Sequence, residues 1–103
     1  MTTKLLSLDT STYSTGWAYY ENGVYKKSGV IDLKKIKNTD DRLKLMVVEI
    51  YKCIERHSPT IIVIETPVVV RNPQVQRLLT MIFGAVYGKC VMDDIEWGDL
   101  RPT

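Results

Sequence analysis

The sequence predicts an α/β protein with a mixed five-stranded sheet and helices packed on it. Three observations predict this class. An Asn22-Gly23 dipeptide separates two strand-like runs near the start, the strongest short signal for a β-hairpin. Two later segments place apolar residues at three-and-four spacing, as helices on a core do. Thr60–Glu65 (TIIVIE) is a continuous β-branched run up to its last residue. Apolarity on both of its faces predicts a central strand covered by helices on each side.

The elements follow in order. Lys4–Asp9 (KLLSLD) reads as a buried strand that ends on a carboxylate, and Thr10–Thr15 (TSTYST) as a turn. Gly16–Glu21 (GWAYYE) is rich in aromatics and fits a second strand, with Trp17 and Tyr19 on one face and Tyr20 on the other. Val24–Leu33 returns as an antiparallel third strand. Asn38 to Arg56 is helical, with Leu43, Met46, Val47, Ile50 and Ile54 as its apolar stripe. Asn38 or Thr39 caps it, Asp40 and Asp41 suit the positive end of its dipole, and Arg56 and His57 the other. Ser58-Pro59 stops it.

After Thr60–Glu65 comes a loop, Thr66–Arg71. Asn72-Pro73 then supplies a cap and a proline at the first helical position. Val75, Leu78, Leu79, Ile82, Phe83 and Val86 form the stripe of this second helix, and Gly84 and Gly88 make a notch on another side. Cys90–Trp97 reads as the fifth strand. The order is β-β-β-α-β-α-β, a meander followed by crossovers.

Composition bounds the function. The 103 residues form one domain, and 45% hydrophobic with 25% charged residues is an ordinary globular balance. The formal charge of +2 excludes a polybasic tail but not a local basic patch. The longest apolar runs fall far short of the ~20 residues that cross a bilayer. The start carries no long apolar signal segment. Cys53 and Cys90 lie far apart and one histidine is present, so a Cys/His zinc site is not built; reduced thiols in a cytoplasmic protein are expected. His57 is expected to be structural and the cysteines small buried hydrophobes.

Two carboxylates, Asp9 and Glu65, each end a strand. The predicted topology makes those strands parallel neighbours, so their carboxyl ends meet at one sheet edge, where open α/β sheets place ligands. Two acids held together repel unless a cation neutralises them, and Mg²⁺ or Mn²⁺ suits hard oxygen donors. An acid at a strand end is more often a solvated cap. The pairing, and a glutamate at the end of an apolar strand, favour a site.

Along essentially its whole length the chain resembles the RuvC-type Holliday junction resolvases, most closely their small phage and Gram-positive versions. Three segments carry the resemblance: LLSLDTSTYSTGWAYY, RLKLMVVEIYKCIERHSPTIIVIE and TPVVVRNPQVQRLLTMIFGAVYG. It implies a ribonuclease H-like fold, Asp9 and Glu65 as catalytic acids and metal ligands, and Mg²⁺ or Mn²⁺ as cofactor. It also implies branched DNA as substrate and a homodimer built on the second helix, with Met81, Gly84, Ala85 and Gly88 at the interface. The family hydrolyses phosphodiesters with four acids, two of them on a last helix. No such helix follows here, and Asp93, Asp94, Glu96 and Asp99 read as a solvated edge. The expectation is the N-terminal portion of a nuclease domain, residues 1–103, whose half-site binds metal weakly and DNA without cutting it.

Other DNA contacts are expected around the candidate acids. Val68 stands nearest the place of the family's apolar wedge, although packing under the second helix explains it as well. Arg71, Asn72, Gln74 and Arg77 are placed to reach phosphates near the helix start. Lys34 and Lys35, with Lys26, Lys27, Lys37, Arg42 and Lys44, could track a backbone, against the commoner reading of a lysine-guarded edge. Two rival functions remain: an ATP-binding domain of the actin and sugar-kinase type, which LDTST would suit but which lacks a second glycine-rich loop, and a non-catalytic junction-binding module.

Overall fold

The computed structural model describes residues 2–65 and 71–100. Three strands open the chain: β1 (Lys4–Thr10), β2 (Ser14–Glu21) and β3 (Val24–Asp32). Asn22 and Gly23 both take positive φ, 51° and 81°, the hairpin geometry their identities favour. Helix α1 (Thr39–His57) is capped by Asn38, whose side chain accepts from the Asp41 amide, and ends where Ser58 turns left-handed. Strand β4 (Ile61–Glu65), helix α2 (Pro73–Met92) and strand β5 (Glu96–Leu100) complete the order. Asn72 caps α2 by accepting from the Gln74 and Val75 amides.

The sheet order is β3-β2-β1-β4-β5. The meander is antiparallel, while β1–β4 and β4–β5 are parallel. Leu6, Leu8, Ile62 and Ile64 project from the two central strands into one core with Met46, Ile50 and Ile54 of α1 and Ile82, Val86 and Cys90 of α2. The fold is the predicted one, a mixed five-stranded α/β sheet.

Three expectations need correction. Both helices lie on one face of the sheet, so among the described residues β4 is covered on one side only. On its other face Ile61 and Val63 are half-buried. The segment Cys90–Met92 is helical, and β5 starts at Glu96 rather than Cys90. The reason is that the stripe Leu79, Ile82, Val86 continues at helical spacing to Cys90, and Lys89 pairs with Asp93 at 2.7 Å across the last turn. The turn after β1 is also shorter than Thr10–Thr15, because β1 runs through Thr10 and β2 begins at Ser14.

Candidate active site

The β1–β4 ladder ends with Leu8 paired to Ile64. Asp9 and Glu65 are the next residues on their strands. Leu8 and Ile64 point into the helical layer, so strand alternation turns both acids to the open face. Both are exposed. With Ser7, Gly16, Ala18 and Val63 they line a shallow recess of about 350 Å³. Asp9 pairs with Gly16 on β2 and follows directly on the last rung of the parallel ladder to β4.

The turn behind Asp9 is tied to α1. Arg42 donates from Nε to the Thr12 carbonyl at 2.8 Å and from Nη1 to the Ile36 carbonyl at 3.0 Å, and its guanidinium lies 4.3 Å from the centre of the Tyr13 ring. One helical turn on, the buried Thr15 hydroxyl donates to the Met46 sulfur at 3.1 Å. Arg42 is therefore no part of a phosphate-tracking surface: it is 6% exposed and bound to backbone.

A larger cleft, about 650 Å³, lies on the helical side of this turn, between the starts of α1 and α2. Asn72, Gln74 and Arg77 line it with Tyr13 and Arg42. Arg71 and Gln74 are exposed, as are Lys34 and Lys35 in the loop after β3. Asn72 spends its side-chain oxygen on capping. Val68 lies outside the described residues. The structure thus gathers Asn72, Gln74 and Arg77 at the cleft and Asp9 and Glu65 at the recess, with Lys34 and Lys35 exposed in the separate loop after β3.

On α2, Met81 and Gly84 are exposed and Gly88 is half-buried. Ala85 is half-buried, and its backbone carbonyl accepts from the Tyr51 hydroxyl of α1 at 2.7 Å. His57 is buried between the Trp17 and Tyr19 rings, 4.9 and 4.8 Å away, and its Nδ1 bonds the Cys53 carbonyl at 2.8 Å. Burial pushes the Cys53 and Cys90 thiols up, which keeps them unreactive at neutral pH. Burial, helped by the bond to Glu21, also raises Tyr19.

The two carboxylates are hard oxygen donors of the kind a divalent cation takes, and they supply part of such a coordination shell. No cluster of three or more potential ligands occurs among the described residues. Sequence reasoning places Gly16 after the loop, at the start of the second strand; the structure sets it directly across from Asp9.

The sheet order, the parallel β1–β4 pair and the helices on one face can be compared with solved structures. T. thermophilus RuvC in complex with a Holliday junction substrate superposes with a TM-score of 0.77 over 97% of this chain, at 10% identity. The fold is that of the RuvC resolvases. The yeast mitochondrial Holliday junction resolvase matches 97% of the chain with a TM-score of 0.73 and 12% identity. YeaZ from Pseudomonas aeruginosa is further away, with a TM-score of 0.61 over 96% of the chain at 14% identity and 44% of its own length covered. The chain spans 65% of the T. thermophilus protein and 51% of the yeast one. No protein-family model and no curated protein matches it in sequence.

Proposed function

We propose that this RuvC-like domain belongs to a metal-dependent endonuclease that resolves four-way or otherwise branched DNA. The observation that supports it most is the acid pair: Asp9 and Glu65 stand one step past the last rung of the β1–β4 ladder, on the open face of a resolvase-like sheet. Asp9 and Glu65 are the residues that would hold Mg²⁺ or Mn²⁺. The bound ion supplies Lewis acidity and an acidified water for phosphodiester hydrolysis. The chain's own part is to fix the two carboxylates at neighbouring strand ends. Arg71, Gln74 and Arg77 take backbone phosphates, with the amide of Asn72; Lys34 and Lys35 add a sequence-independent contact. Val68 serves as an apolar plug at the junction centre. A homodimer through the Met81, Gly84 and Gly88 side of α2 presents two such sites to two of the four strands of one junction.

The test uses a labelled synthetic four-way junction and a matched linear duplex, with Mg²⁺, Mn²⁺ or EDTA, beside Asp9→Asn and Glu65→Gln. Metal-dependent nicking of the junction, lost in both variants while binding persists, is the expected result for a complete site. Selective binding without nicking restricts the reading to the junction-binding half. Equal affinity for junction and duplex, or cleavage that survives in both variants, overturns it, and thermal stabilisation by ATP would point to the nucleotide-binding alternative.

A further inference from the structure

Gly16 sits in the interior of β2, where glycine is unfavourable by roughly 0.5–1 kcal/mol relative to alanine. Among the described residues nothing requires it. Its φ is not left-handed; Gly23 alone among the described glycines has that need. No packing requires it either: a Cβ built at residue 16 meets no atom of the described structure within 4 Å. Gly29 and Gly98 differ, since a Cβ at either would press on Trp17 at 2.7 Å or on Val63 at 3.2 Å. A strand glycine with neither cause marks a place where something from outside comes close.

Its position says where. Gly16 is the direct cross-strand partner of Asp9, so a side chain there would stand on the same face, about 4.5–5.5 Å from the Asp9 Cβ. It lines the same recess as Asp9 and Glu65, next to the cross-strand pair of small side chains Ser7 and Ala18. We infer that Gly16 keeps the space beside Asp9 clear for the sugar-phosphate backbone of the DNA strand held at the acid pair, and so sets how closely that strand approaches. This rests on the nuclease reading above and assigns the open space to the substrate rather than to the ion.

The test compares Gly16→Ala and Gly16→Val with the unaltered chain by three measurements: melting temperature, Mn²⁺ affinity by electron paramagnetic resonance, and junction affinity in Ca²⁺. The expected result is a melting temperature that is unchanged or higher, unchanged Mn²⁺ affinity, and junction Kd raised about threefold for Ala and about tenfold or more for Val, the larger group obstructing more. Rising stability beside falling affinity is a combination that a structural role would not produce. Unchanged junction affinity in the valine variant overturns the inference while leaving the nuclease reading intact. A lowered melting temperature in both variants assigns the space to packing, and a parallel loss of Mn²⁺ affinity assigns it to the ion; either overturns it too. A chain that binds no junction before substitution removes the nuclease reading, and the inference with it.

Discussion

Arg42 and Thr12 are joined by a 2.8 Å hydrogen bond from the guanidinium Nε to the backbone carbonyl, and through it α1 holds the turn that follows Asp9. A second bond, to the Ile36 carbonyl, and the Tyr13 ring complete the cation's surroundings. Among the described residues Arg42 has no carboxylate within ion-pair distance, because the ion pairs found there belong to Lys89.

The cation therefore acts as a fork between two loops. Hydrogen bonds from a charged donor are worth about 1.5–3 kcal/mol each, and a buried acceptor left alone adds cost. Arg42→Met is expected to lower stability by about 2–4 kcal/mol in urea unfolding. Arg42→Lys should recover only part of that, since an ammonium lacks the fork geometry. Equal stability of the lysine variant and the unaltered chain would remove the fork from the account.

How much of this was legible beforehand follows from which signals are local. The hairpin at Asn22-Gly23, the Asn38 and Asn72 caps and the stop at Ser58 are short-range chemistry, and each stands where the sequence puts it. The neighbouring β1 and β4, each followed to its acid, came from crossover topology. The end of α2 was misplaced because Cys90-Val91-Met92 is apolar without interruption, and such a run suits strand or helix; the distant contacts of Cys90 decide it. Arg42 was grouped with exposed lysines because charge says nothing about burial. Its acceptors at Thr12 and Ile36 are set by how two loops fold over α1, which no spacing along the helix shows.

Gly29 pairs with Trp17 across β2 and β3. A Cβ at residue 29 would come within 2.7–2.9 Å of three atoms of the Trp17 indole, which itself packs against His57 at 4.9 Å with the rings tilted by 47°. The ring cannot yield without disturbing that contact. Gly29→Ala is expected to destabilise by about 1–3 kcal/mol, the usual cost of overpacking. Tryptophan emission should shift as the indole is displaced. A variant as stable as the parent, with unaltered emission, would show that the indole has room to move.

Lys89 is held between Asp93 at 2.7 Å and Glu55 at 3.1 Å, with its own side chain 13% exposed. Those two hydrogen bonds, Asp93 first, raise its pKa above the ordinary value of 10.5. The charged form is thus favoured by folding. Its stabilisation is fully present below the ordinary lysine value and is lost as pH climbs through the raised one. Lys89→Met should therefore be less stable than the parent at pH 7, and the gap should narrow only as pH rises above about 10.5. A gap that is constant from neutral to strongly alkaline pH would assign the loss to packing on Tyr51, whose ring centre lies 5.4 Å from the Lys89 ammonium.

Gly84 decides between a lone chain and a pair. A Cβ at residue 84 meets no described atom within 4 Å, and the same holds at Gly88 one turn on. Around them Met81, Tyr87 and Val91 are 47%, 51% and 63% exposed. In a monomer Gly84→Ala would simply improve the helix, by roughly 1 kcal/mol. In a dimer that brings a second helix against this notch, the added methyl holds the backbones apart and the sign reverses. Sedimentation equilibrium is expected to show a dimer for the parent and a monomer for Gly84→Arg, with Gly84→Ala weakening association although it favours the helix. A parent that sediments as a monomer, or an alanine variant that is more stable and equally associated, would take the α2 face out of any interface.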